Sequence, residues 1–276
     1  WLLGRSPQKP HLSMFLGAHD LVAQLNISAD IAGRADSLFT HARANLPALR
    51  EMGVDLERVT VVHRGVDTEW VEQMAGQAFD SRTPSRHTAF KEPGLIISAG
   101  RLQPYKGFDD LLRVFAALKK RRSEARLEIF GDGPDRQHLE ELAGSLSIEE
   151  SVQFHGHVSH EQLIRRMAEA RLFVFMSRHD GERLPNAVKE AMLCSCICIT
   201  TATPGIDELI EHGRTGYIVA QGDIAAATEY AERALSADKP QMPAAARQEI
   251  LTQFSVRTAM QQYLERWSGE IGRDGQ

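Results

Sequence analysis

Cysteine is scarce in this 276-residue chain, with three in all. They fall at Cys194, Cys196 and Cys198, a spacing that matches no common zinc pattern and lacks a fourth ligand. We read them as small apolar side chains on one face of a buried strand, in a protein of the reducing cytoplasm. Positive charge is not in excess either. Lys plus Arg number 32 against 37 for Asp plus Glu, a formal charge of −5, which gives no support to nucleic-acid binding. No run of eighteen apolar residues occurs, so no segment reads as a membrane-spanning helix. The N-terminus lacks the charged, apolar, small-residue order of a signal peptide.

Several chemical motifs are missing as well. There is no Gly-x-x-x-x-Gly-Lys-Ser/Thr loop, which argues against a P-loop nucleoside triphosphatase. No His-Glu-x-x-His or paired-cysteine motif implies a metal. Gly131-Asp132-Gly133-Pro134 begins like a dinucleotide fingerprint, but Arg136 stands where its third glycine belongs, which weakens a nicotinamide-enzyme reading.

What is present is a strand–helix alternation from residue 94 onward. Apolar strand-like runs at 94–100, 126–130, 151–156, 172–176 and 216–219 are separated by segments of helical spacing such as Phe108, Leu111, Leu112, Phe115 and Leu118. Ser159 begins a helix, with Gln162 placed to complete a capping box. The cysteine strand and a short helix near 206–210 fall before the last run. Such alternation implies a parallel sheet covered on both faces, with ligands beyond the carboxyl ends of its strands. Residues 12–16, 37–40 and 59–63 read as further strands, 43–52 as a helix, and 255–269 as a final helix. The chain opens on Trp1, and two to three strands make a poor independent sheet. We therefore read 1–66 as the tail of a larger α/β domain, 67–92 as a linker with a short helix, 93–254 as a ligand-binding domain, and 255–276 as a helix crossing back toward the N-terminal part.

The richest segment runs from Glu182 to Met192. It sets two carboxylates, Glu182 and Glu190, across a loop-to-helix junction. Pro185 suits the first helical position, which leaves Glu182 on the loop and Glu190 more than a turn inside the helix. Amides at a helix start attract phosphate, and carboxylates suit sugar hydroxyls, so the segment fits a nucleotide-sugar. Arg101 and Lys106 flank another loop at the same sheet edge, where a diphosphate would need cations. Thr203-Pro204-Gly205-Ile206-Asp207-Glu208 is a third strand-to-helix turn whose amides suit sugar or phosphate. We place His155 and His157 near a base pocket and outside catalysis. Lys119-Lys120-Arg121-Arg122 is a basic run at a helix end. The helix dipole favours charge there, and contact with an anionic lipid surface is the less favoured alternative.

Together these residues resemble the retaining glycosyltransferases of family 4, which have the GT-B architecture. The resemblance rests on Gly100-Arg101-Leu102 with Lys106-Gly107, Phe130 to Pro134, Glu182 to Met192, Pro204-Gly205-Ile206 through Ile210, and Gly213 through Gly216. It covers nearly all of 35–270. It implies a Rossmann-like doubly wound parallel sheet in the C-terminal domain and an incomplete Rossmann-like domain before it. It implies catalysis at Glu182, Arg101 and Lys106, with Glu190 on the ribose hydroxyls and Glu182 on the donor sugar. Gly131, Gly133, Arg183, Leu184, Gly205 and His155 would complete the substrate contacts. The donor would be a UDP-, GDP- or ADP-sugar and the acceptor a glycan or a lipid-linked hydroxyl, with no metal or other cofactor. The closest-looking members build exopolysaccharide, capsule or lipopolysaccharide, and the expected place of this chain is the cytoplasm, with peripheral contact at the inner-membrane face as the further option.

Two departures stand out. The family's glycine-rich loop near the start is missing, and Leu16 occupies the place of an expected histidine in Phe15-Leu16-Gly17-Ala18-His19-Asp20. Arg183 stands where a small residue often follows the first glutamate. The chain therefore reads as N-terminally truncated and inactive alone. The alternatives are a non-catalytic nucleotide-sugar-binding remnant and, less favoured, a GT-B-like nucleotide-sugar epimerase.

Overall fold

The structure, a computed structural model, describes residues 11–17, 32–76, 91–236 and 241–271. The chain divides into two compact units, Trp1–Gly65 with Gln253–Gln276, and Val66–Thr252. In the first, strands β1 (Ser13–Leu16), β2 (Ser37–Thr40) and β3 (Val59–Val61) form a parallel sheet in that order. Successive side chains of a strand face opposite ways. Leu38 accordingly joins Leu16 and Leu49 of helix α1 (Leu46–Glu51). Phe39 instead packs with Val62 against Ala259, Tyr263 and Trp267 of the last helix, whose indole N–H donates to Ser13 Oγ at 2.8 Å. Of the Phe15–Asp20 segment, Phe15 and Leu16 lie in β1, while Ala18, His19 and Asp20 lie outside the described residues.

The second unit begins with helix α2 (Thr68–Ala75), capped by Asp67, whose carboxylate accepts the Trp70 N–H at 3.0 Å. This part of the 67–92 stretch is folded against the unit's helices; residues 77–90 lie outside the described set. Six parallel strands follow: β4 (Glu92–Ala99), β5 (Arg126–Phe130), β6 (Val152–Gly156), β7 (Ala170–Phe175), β8 (Ile197–Thr201) and β9 (Tyr217–Val219). Their order across the sheet is β6-β5-β4-β7-β8-β9. Helices α3 (Phe108–Lys119), α4 (Arg136–Ser145) and α7 (Ile224–Ser236) pack together on one face. Helices α2, α5 (His160–Glu169) and α6 (Asn186–Leu193) pack together on the other. Both faces are thus buried, which explains why β7 and β8 read as continuous apolar runs. Helix α8 (Gln241–Gln253) and helix α9 (Val256–Ile271) are the last two helices among the described residues. Among the described residues no helix is long and apolar enough to cross a membrane.

Two local expectations need correction. The three cysteines do not share a strand face. All are buried, but only Cys198 lies in β8; Cys194 closes α6 and Cys196 lies in the turn between. The alternation came from a helix end meeting a strand start, which sequence periodicity does not separate. Pro185 sits just before α6 with extended backbone (ψ 129°), so the helix starts one residue later, at Asn186.

Candidate functional site

The site is built where the sheet changes direction. From β4 the chain winds outward through β5 to β6, then returns to β7 on the other side of β4. The loops leaving β4 and β7 therefore face each other across the carboxyl edge, the usual place for a ligand in an open α/β sheet. Gly107 permits their close approach. Its φ is +68°, and a Cβ there would collide with the Met176 carbonyl. Arg178 then clasps the loops together. Its guanidinium donates to Asp110 Oδ2 at 2.9 Å and Asp109 Oδ1 at 2.6 Å, and its backbone N–H to the Tyr105 carbonyl at 2.8 Å. Burial works against the Asp109 charge, but Arg113 and Arg178 outweigh it and hold that carboxyl below its ordinary value. Between the clasped loops, Lys106 forms an ion pair with Glu182, the two side chains 19% and 18% exposed. Ser177 Oγ lies 3.4 Å from the same Glu182 oxygen.

At the same sheet edge the ends of β4, β5 and β6 form an open cleft of about 660 Å³ lined by Arg101, Phe130, Gly131, His157 and His160 among others. Gly131 (φ +122°) is required because a side chain would meet the Gly100 carbonyl. Gly133 follows in the same turn, its N–H donating to the Asp132 carboxylate at 2.8 Å. Glu190, the fifth residue of α6, lies buried with Oε1 3.0 Å from His160 Nε2. Burial lifts its carboxyl above the ordinary value, while His160 and Lys189 pull it partway back. The structure thus joins Lys106 to Glu182, sets Arg101 and Gly131 around one cavity, and links that cavity to Glu190 through His160.

The sequence profile described as Glycosyl transferases group 1 matches residues 80–249, more than half of the chain. This chain belongs to the group 1 glycosyltransferases. An uncharacterized glycosyltransferase of Haemophilus influenzae is 33% identical over 142 residues, 51% of this chain and 39% of that relative. The amylovoran biosynthesis glycosyltransferase of Erwinia amylovora is 26% identical over 220 residues, 78% of this chain and 51% of the relative. The chain thus spans about half the length of the curated relatives it matches. The fold is the GT-B type. A solved structure of HepE of Anabaena in complex with UDP and glucose superposes with a TM-score of 0.72 at 20% identity, covering 93% of this chain and 71% of that one.

The remaining expected residues of this group 1 glycosyltransferase chain fall around the same edge with differing surroundings. Arg183 and Leu184 are half-buried on the β7–α6 loop. Arg183 donates to the Asp180 carbonyl, and burial pulls its guanidinium below the ordinary value against the pull of Asp180 and Glu208. It is not a purely solvent-facing cation. Gly205 is buried at φ +85° and opens the short turn Ile206–Glu208. His155 stands apart from the cavity wall that His157 forms. Its Nε2 lies 3.0 Å from Glu128, and its ring stacks on Phe130 with centroids 4.3 Å apart. It backs a lining residue. In the basic run, Lys119 donates to the Ala125 carbonyl at 2.8 Å and Arg121 pairs with Glu232 of α7 at 2.8 Å. Among the described residues no group of His, Cys, Asp and Glu is arranged to hold a metal. Sequence reasoning missed His160 and Trp70. The available signal for His160 was its place directly after the capping Ser159, at a strand-to-helix turn on the ligand edge.

Proposed function

We propose that this chain is the donor-binding part of a retaining, family 4 glycosyltransferase that moves a sugar from a UDP-, GDP- or ADP-sugar to a hydroxyl of a glycan or lipid-linked acceptor in the cytoplasm. One observation carries the reading. Two loops separated by 76 residues bring Lys106 and Glu182 into contact at the switch point of the sheet, and the same β4 loop that carries Lys106 sends Arg101 to line the cleft. Without donor, Glu182 neutralises Lys106. An incoming diphosphate, with more charge and more acceptor oxygens, takes the ammonium and leaves the carboxylate to accept from sugar hydroxyls. Arg101 supplies the forked contact to a second phosphate oxygen. When the glycosidic bond to the diphosphate breaks, the sugar gains oxocarbenium character, and Arg101, Lys106 and the α3 N-terminus stabilise the departing charge. The acceptor hydroxyl attacks the same face and passes its proton to the leaving phosphate oxygen.

That the chain spans about half its curated relatives favours a second reading, in which this piece binds donor without turning it over. Calorimetry with UDP, GDP and ADP tests the shared part. At least one should bind the wild-type chain and bind less well to Arg101→Ala. Glu190→Ala should lose about 1–3 kcal/mol of affinity, the scale of an unmet buried polar partner. Binding of none of the three rejects both readings. Binding with no sugar transfer from the matching nucleotide-sugar favours the second.

A further inference from the structure

We propose that His160, backed by Trp70, is a positioning residue that fixes one oxygen of Glu190 so that the other is free and aimed at the ribose hydroxyls of the donor. The inference rests on the donor-site reading above. The carboxylate stands on α6 and cannot orient itself, because a glutamate side chain has three rotatable bonds. His160 Nε2 meets Oε1 at 3.0 Å. An ionised carboxylate can only accept, so Nε2 carries the proton. That contact occupies Oε1 and leaves Oε2 for the ligand. His160 also lines the 660 Å³ cavity, so the bond is made at the edge where ribose would lie.

The histidine is itself held from two sides. Its backbone is fixed by the Ser159–Gln162 capping box at the start of α5. Its ring is stacked by Trp70 of α2, with centroids 4.6 Å apart and planes inclined by 30°. Helix α2 is in turn held by the Arg247–Glu72 ion pair and by buried Val71. A short helix in a stretch that the sequence marks as linker thus supports the nucleoside end of the site. Glu190 needs this support more than an exposed carboxylate would. It is 11% exposed in its side chain, and a buried carboxylate without a donor loses much of its preference for the charged, accepting form.

The test is calorimetry of whichever of UDP, GDP and ADP binds best, run beside its 2′,3′-dideoxy analogue. His160→Phe keeps the stacking ring and removes the donor. It should weaken the ribonucleotide by about tenfold, the scale of one charge-assisted hydrogen bond, and leave the dideoxy analogue at its wild-type affinity. His160→Gln, whose amide nitrogen reaches a similar place, should restore ribonucleotide binding. Trp70→Ala should weaken the ribonucleotide by about threefold, the scale of a lost ring pair. Equal ribonucleotide affinity in wild type and His160→Phe overturns the inference while leaving the donor site standing. An equal loss for both ligands also overturns it, because it marks a general structural role. If no nucleotide binds the wild type, the donor-site reading fails and this inference fails with it.

Discussion

At the residue scale, charges are affordable inside this unit only where their partners are supplied. Glu128 on β5 is 6% exposed. Burial pushes its carboxyl up, but Arg166, which meets both oxygens, and His155 together outweigh burial and hold it below the ordinary value. Removing the charge takes two contacts from Arg166 but leaves it paired with Glu92 and Glu169, so Glu128→Gln should cost about 1–2 kcal/mol at pH 7. The sign of the pH dependence follows from the lowered value. A carboxyl held low in the folded state contributes stability that is fully present above its unfolded value of about 4.3 and is lost as pH falls through the folded value. Urea unfolding should therefore show the gap between wild type and Glu128→Gln closing below about pH 4. A gap that stays constant from pH 7 to pH 3 would contradict the assignment. Lys106 and Glu182 also stand as partners, each neutralising the other. Their pair sits on the loops at the sheet edge, where the proposed diphosphate would replace one member.

At the element scale, helix ends carry much of the design. Lys91, just ahead of β4, donates to the Cys194 carbonyl at 2.6 Å and the Met167 carbonyl at 3.2 Å. It thereby closes the C-terminal ends of α6 and α5 together, where positive charge is favoured. Lys91→Met should lower stability by about 1–2 kcal/mol, read as a lower urea midpoint at unchanged slope. An unchanged midpoint would show that solvent replaces the ammonium without loss. The elements most legible in the sequence were those with strong period and punctuation. Arg126–Phe130 and Ser37–Thr40 fall at their expected bounds, and Ser159 with Gln162 forms the capping box that their spacing implied. Helices α7 and α8 were not legible. Helix α7 buries Ala227, Ala231 and Ala234, and alanine gives a weak apolar stripe. Helix α8 has Pro243 in its first turn and little amphipathic contrast. The cysteine segment misled because three alternating apolar residues fit a strand as well as a helix end running into one.

At the scale of the whole molecule, the site follows from winding order. A sheet that grows from β4 in one direction and then from β7 in the other leaves two adjacent loops pointing out of the same edge. The sequence placed Arg101, Lys106, Glu182 and Glu190 on loops and helix starts at that edge. It did not show that Lys106 and Glu182 touch, or that Glu190 is reached through His160, because those contacts join residues 76 and 30 positions apart. The most direct test is a crystal structure of this chain with the nucleoside diphosphate that binds it. The account predicts the diphosphate between the β4 and β7 loops, within hydrogen-bond distance of Arg101 and Lys106, with the Lys106–Glu182 pair opened and the ribose hydroxyls on Glu190. A diphosphate bound elsewhere, or bound with that ion pair intact, would contradict it.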